Sequence, residues 1–598
     1  MSLSTRSWKV GLTACLIVTA IPGEGVSQQC PAGIISAVEV ERLDVFNPEE
    51  SKSGLFRWAF GLGNKIHMTT SESYIRADLL FEEGDCFDPF LIDESARVLR
   101  ERGFIKWAEI TYETQPDGNV AVHVSVQDDW TLKVGLGLSF DEGFKLEELL
   151  LKEMQLFGRG LGVALARAQD RDVLETSLKI KATRLLGSDW TADLEGGSTR
   201  YGNFFEGELA YPFYNELSEV AASGWLIWRE DYFPYTTSGL ENPTHTLLPY
   251  EFKFFQATWG HRFGDPGGLW VIGGGLSRED LSFPEGAEGL MSVIDGEFGD
   301  AVPATEAEIE AVRSQTTPFA ATRLNVFAGW RKISFVMRER LDRVLAAQDV
   351  MVGSEVTLSF NPSIPVIAQK GDAEDIHGKF EIFWGAAPGR SVFAATITGE
   401  GRYAYQTEQG NPTGWRDILT EVDLKWFVRP TEESKHTLFT RISAARSWDM
   451  DRPFQLTGGG RDGVRGYSID AFPGGRRLLA TLEDRFPLVS YEAVDVGLSL
   501  FGDLGKVWGQ DVPWGVDSGW RSALGLGLRL NFPSGGIRTM RLDFTLPLST
   551  AKESQGVYFR MYTELGGLSQ LRKRWSQTDR SRWSGIDTDL TTRQRKGG

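Results

Sequence analysis

A transmembrane antiparallel β-barrel preceded by a small α/β domain is the fold this sequence predicts, and three observations carry the prediction. From Thr131 to Gly567 the chain runs in segments of roughly ten residues with period-two alternation, separated by Gly, Pro, Asn and Asp. Beyond the N-terminus no stretch approaches the eighteen or so apolar residues that a spanning helix needs. The N-terminus has the shape of a secretory signal: Arg6 and Lys9 precede an apolar run, Val10 to Ile21, and the small residues Gly25, Val26 and Ser27 follow it. An exported chain without a spanning helix is either soluble or a barrel.

In chain order, residues 1–27 read as a signal peptide, 28–130 as the α/β domain, 131–567 as the barrel and 568–598 as a basic tail too polar to fold alone. Val38 and Val40 share one face of a first strand, and Phe46 to Met68 reads as an irregular insertion. Thr69 with Glu72 has capping-box spacing and opens a helix that carries Ile75 and Leu79 and closes near Gly84. A second helix opens with Asp88 before Pro89, carries Leu91, Ser95, Val98 and Leu99, and stops at Gly103. Strands around Ala108–Glu113 and Val120–Gln127 complete the domain, with Val122 placed at its sheet edge.

The last barrel segments are the clearest. Leu524, Leu526, Leu528 and Leu530 oppose Gly525, Gly527, Arg529 and Asn531; Met540, Leu542 and Phe544 oppose Arg541, Asp543 and Thr545. Between Ala493 and Trp508 the valines and leucines share one face, and Asp495, Phe501 and Asp503 the other. Glu483 and Arg485 likewise lie opposite Leu482 and Phe486. One apolar and one charged face over many segments suits lipid outside and water inside better than a soluble sandwich. Ala304 to Ser314 carries the one helical pattern in this region, and Tyr235–Thr246, Phe283–Thr317 and the loop around Arg465 read as external excursions.

Val464-Arg465-Gly466-Tyr467 sits in the middle of a glycine-rich loop, GGGRDGVRGYSIDAFPGG. Glycine lets the backbone carry an arginine into a narrow space, and in a dry space the guanidinium needs an acidic partner. Taken with the following E-x-R-x-P-L and F-x-D-x-G segments, this order resembles the BamA/TamA superfamily of outer-membrane insertases and polypeptide transporters. The resemblance implies sixteen strands. It also implies that Arg465, at the tip of the sixth external loop, folds into the lumen and pairs with Asp503, with Glu483 and Arg485 nearby. Without the motif, each of these is an ordinary charge in a wet pore. Glu153 to Gly160, EMQLFGRG, is similar to that family's turn after the second strand, and the N-terminal domain looks like a single periplasmic POTRA domain. The implied partners are the outer-membrane bilayer, unfolded outer-membrane or secreted polypeptides, and periplasmic chaperones or accessory subunits.

The formal net charge of −19 argues against nucleic acid as a partner. Outside the signal segment Cys30 and Cys86 remain, in an oxidising compartment: a disulfide or two buried thiols. Six histidines show no zinc spacing, and there is no Walker loop or nucleophile elbow, so neither an enzyme nor a cofactor is expected. The function that the resemblance implies is insertion or translocation of polypeptides by strand addition at a barrel seam, which Gly135 and Gly137 in the first strand and Gly566 and Gly567 near the last would weaken. A two-partner secretion pore and a passive porin-like barrel are the alternatives.

Overall fold

Valine alternation sets the centre of the N-terminal unit. Val120, Val122, Val124 and Val126 are all buried on one side of their strand, against Ile75, Ile92 and Leu99 of the covering helices. The computed structural model describes residues 30–548 and 558–564, apart from 52, 140–144, 171–172, 238–244, 294–300, 366–368, 370–371, 407–412, 461–462, 469–470, 492 and 537–538. The signal segment 1–27, the tail 568–598, and Gly566 and Gly567 lie outside the described residues.

The unit runs β1 (Ile35–Leu43), α1 (Gly54–Ile66), α2 (Glu72–Asp78), α3 (Pro89–Glu101), β2 (Ile105–Thr114) and β3 (Val120–Asp128). β3 lies in the middle of the sheet, parallel to β1 and antiparallel to β2. Val122 is therefore not at an edge, as expected from the sequence, but fully buried in the central strand. A disulfide joins Cys30 and Cys86 across 56 residues.

The helices follow their local chemistry with two corrections. Asp88 accepts from the Phe90 amide at 2.8 Å and Pro89 occupies the first turn, so α3 starts where the sequence places it. α2, however, is capped by Ser71, which accepts from the Tyr74 amide. Asp128 binds both the amide and the hydroxyl of Thr70 at 2.7 Å, which holds the preceding chain extended. The stretch expected to be irregular, Phe46 to Met68, contains the whole of α1. Three glycines in that helix weaken its propensity, and packing of Phe56 and Phe60 compensates.

The described strands from Lys133 to Glu564 close into a barrel. Of its twenty-two strands from Lys133 to Glu564, Met291–Val293 and Ala301–Pro303 form a side hairpin, while Gly268–Ser282 pairs directly with Phe319–Glu339. Twenty strands therefore make the wall among the described residues, where the resemblance implies sixteen. Each of the twenty is laddered to a neighbour on each side. Glu306–Val312 is α4, with the reciprocal capping box of Thr305 and Glu308. Outward leucines such as Leu482, Leu500 and Leu524 are exposed, whereas the alternate Glu483, Asp503, Arg529, Arg541 and Asp543 are buried inside.

The N-terminal unit lies across one mouth of the barrel, called here the near end. The Ser71 amide donates to the Gly158 carbonyl at 2.9 Å, the hydroxyls of Tyr74 and Thr183 meet at 2.7 Å, and Arg100 pairs with Asp349 at 2.9 Å. These wall residues sit on well-separated parts of the ring. Gly158 is at φ +64°, and a Cβ there would come within 2.3 Å of the Thr69 carbonyl oxygen, so the EMQLFGRG turn needs its glycine for this contact.

Glu94 of α3 holds the Glu216 amide at 3.0 Å. Burial alone would raise its carboxyl pKa, but hydrogen bonding and the charge of Arg97 outweigh this and hold it below the usual range. A carboxylate depressed in the folded state contributes stability above its unfolded pKa, about 4.3 for Glu, and loses it as pH falls through the folded value. Protection of the Glu216 amide in hydrogen exchange, corrected for intrinsic rate, should hold at neutral pH and fall only in stronger acid.

Candidate functional site

The loop between Trp448 and Arg476 starts at the far mouth and descends into the lumen. Its first half is tied across the opening: the Thr236 amide donates to Gln455 Oε1 at 2.7 Å and Gln455 Nε2 donates back to the Thr236 carbonyl at 3.0 Å. Arg452 reaches Asp417 at 3.3 Å and Glu279 at 3.5 Å. The second half folds on itself, with the Val464 amide bonded to Gly458 O and the Gly460 amide to Tyr467 O. Val464, Tyr467 and Phe472 then pack on Leu479 and Val507 of the wall.

This fold delivers Arg465 to Asp503. Nε donates to Asp503 Oδ2 at 2.7 Å and Nη2 to Oδ1 at 2.9 Å, a two-pronged pair, and the Arg465 amide adds a third bond at 3.2 Å. The guanidinium lies 3.5 Å from the centroid of the Phe501 ring. Asp503 is five residues from the far end of the strand Val494–Trp508, about 17 Å down the wall at strand rise. Gly466 is at φ +92°, and a Cβ there would meet Thr545 at 2.9 Å, so the turn and the wall both demand glycine. The Tyr467 hydroxyl donates to the Ser522 carbonyl at 3.3 Å.

Below Arg465 the polar faces of four wall strands converge. Glu483 lies within 3.5 Å of Arg465, 2.8 Å of Arg485, 3.4 Å of Arg529 and 3.2 Å of Arg541. Asp543 reaches Arg465 at 3.3 Å and Arg541 at 3.2 Å. A near-end turn, 340–346, crosses beneath: Arg485 bonds the Leu341 carbonyl and the Asp342 carboxylate, each at 2.9 Å. Arg529 and Thr539 donate to the Asp342 carbonyl. Four guanidiniums thus face four carboxylates in a chain running from the far loop to the near turn.

Arg465, Asp503, Glu483 and Arg485 are all in this cluster. The sequence placed Arg529, Arg541 and Asp543 on the polar strand faces without assigning them a part, although the same alternation, carried one and two strands further, points to them. Asp342 had no such signal, because its turn reaches the cluster across about 140 residues. The Arg465 loop is also the eighth at the far end rather than the sixth, because the extra strands precede it; five wall strands still run from it to the end of the described barrel. Among the described residues no group of three or more His, Cys, Asp or Glu is placed to hold a metal ion.

Last, the ring closes where Tyr558–Glu564 meets Lys133–Ser139. Among the described residues this ladder holds only the pairs Arg560–Ser139 and Met561–Leu138. The strands Val220–Thr236 and His245–Asp265, by contrast, pair along the whole length of the former.

No curated protein matches the chain. Among solved structures, it is similar to BamA from Haemophilus ducreyi lacking POTRA domains 1–3, at 12% identity over 88% of this chain and 84% of that one, with a TM-score of 0.39. It is also similar to CdiB from Escherichia coli, at 12% identity over 89% and 76%, with a TM-score of 0.42. Residues 442–567, the stretch that supplies the loop, Asp503, the arginine cluster and one side of the seam, match the Omp85 superfamily domain.

Proposed function

We propose that this outer-membrane barrel inserts or translocates polypeptides by opening the seam between its first and last strands and letting a client strand add to the exposed edge. The ladder at Ser139 and Leu138, two pairs long among the described residues, supports this reading, because a strand held by few main-chain bonds exchanges partners at low cost. Gly135 and Gly137 weaken the same strand. The Arg465 cluster stiffens the wall up to Thr539–Pro547, the neighbour of the last strand, so that opening is left to the ladder between the last strand and the first. The N-terminal unit acts as a POTRA-like domain in the periplasm, with β2 as its edge for client segments; the far half of β2, from Thr111 to Thr114, is exposed.

A photocrosslinker at Val134, which is exposed at the start of the first strand, should capture several unfinished outer-membrane proteins in cells. A single secreted partner would point instead to a dedicated secretion pore. No capture, with ion conductance retained, would leave a passive barrel.

A further inference from the structure

α1 carries a second apolar face that stays exposed among the described residues. Phe56 and Phe60 face inward: Phe60 stacks on Phe46 at 4.9 Å, and Phe56 meets Tyr491 edge-on at 6.0 Å. Asn64 fastens the same side by donating to the Phe46 carbonyl at 2.9 Å. Leu55, Trp58, Leu62 and Ile66 follow the i, i+3, i+7, i+11 spacing of a single helical stripe, and they are 71%, 66%, 42% and 58% exposed. A contiguous stripe of this kind marks a contact surface rather than a water-facing one.

The surroundings say what covers it. Tyr491 and Phe532, on which the aromatic cluster of α1, Phe46 and Trp130 rests, are themselves exposed at the near rim of the wall. Leu488 and Val489 are exposed beside them and continue the outward stripe of Leu482 and Leu500. The apolar belt of the barrel thus runs onto the helix without a break. α1 also has no acidic residue, and its two charges, Arg57 and Lys65, are both basic and exposed, in a chain whose acids outnumber its bases by 82 to 63. An apolar stripe with a tryptophan, bordered by cations, matches the boundary between acyl chains and phosphate headgroups.

We infer that α1 is an interfacial helix: it lies flat on the near-end leaflet with Leu55, Trp58, Leu62 and Ile66 among the acyl chains and Arg57 and Lys65 at the phosphates. At 13 residues it is too short to span. Because it packs against Trp130, three residues before the first wall strand, it anchors the N-terminal unit to lipid at the seam side of the ring. The inference requires a membrane-embedded barrel, not polypeptide transport.

The test is a nitroxide scan of the full chain in proteoliposomes of phosphatidylethanolamine and phosphatidylglycerol. Single Leu55→Cys, Arg57→Cys, Trp58→Cys, Gly61→Cys, Leu62→Cys and Ile66→Cys variants, in a Cys15→Ser background, are labelled and read by relaxation with oxygen and with a water-soluble nickel chelate. Oxygen should dominate at 55, 58, 62 and 66 and nickel at 57 and 61. Nickel dominance at all six positions overturns the inference. So does dipolar broadening between labels on different molecules, which would make the stripe a contact between copies. A Trp58→Ser/Leu62→Ser variant, altered only at exposed positions, should keep heat-modifiable barrel mobility while a label at Leu55→Cys moves from oxygen to nickel; an unchanged ratio also overturns it.

Discussion

Arg465→Ala is expected to destabilise the barrel by about 3–5 kcal/mol, the usual cost of removing one partner from a buried ion pair. Asp503 would keep its Thr481 bond at 2.9 Å and the bond from the backbone amide of residue 465, but lose both guanidinium bonds to the loop. It would also stay buried, with a water-poor site in place of its counter-charge. The loop would lose its deepest anchor, leaving the Val464 and Tyr467 packing and the Gln455 ties at the mouth. Arg465→Lys should recover only part of the loss, since an ammonium cannot supply the two-pronged pair or lie flat on Phe501. Heat-modifiable mobility and urea unfolding of the folded barrel read the effect. Wild-type mobility and activity in Arg465→Ala would remove the loop latch from the account.

Glu483→Gln should be at least as damaging, for a different reason. Four guanidiniums converge on this carboxylate, and the amide would leave them facing only Asp503, Asp543 and the half-exposed Asp342. A loss again on the order of 3–5 kcal/mol is expected. Adding Arg541→Gln, which restores the charge balance, should recover part of it, giving a coupling energy of about 0.5–3 kcal/mol in a double-mutant cycle. Strict additivity of the two variants would show that Glu483 acts without Arg541.

The parts of this site legible in sequence are those fixed by period and local chemistry. Strand alternation puts Asp503, Glu483 and Arg485 on the inner face without any structure, and Asp88 with Pro89 fixes the start of α3. What alternation cannot give is which turn crosses the lumen, so Asp342 was invisible. Nor does a helix broken by Gly54, Gly61 and Gly63 show its period clearly, which is why α1 reads as irregular until Phe46 and Tyr491 are seen to hold it. The strand count failed for a related reason. Each alternating segment is a weak signal, and only the ladders show that every one of them joins the wall. Thr69 and Glu72 had the right spacing for a cap, but Asp128, far along the chain, holds Thr70 out of the helix.

The most direct measurement concerns the seam. Ser139 and Arg560 stand opposite each other in the closing ladder, so Ser139→Cys with Arg560→Cys can lock the first strand to the last by a disulfide. The oxidised variant, purified and reconstituted, should fail to insert a denatured outer-membrane protein into proteoliposomes. Reductant should restore insertion, while the parent chain, carrying its Cys30–Cys86 bond through the same treatment, is active throughout. Full activity with the seam quantitatively locked would contradict seam opening, because the client would then have to travel by a route that leaves the ring closed.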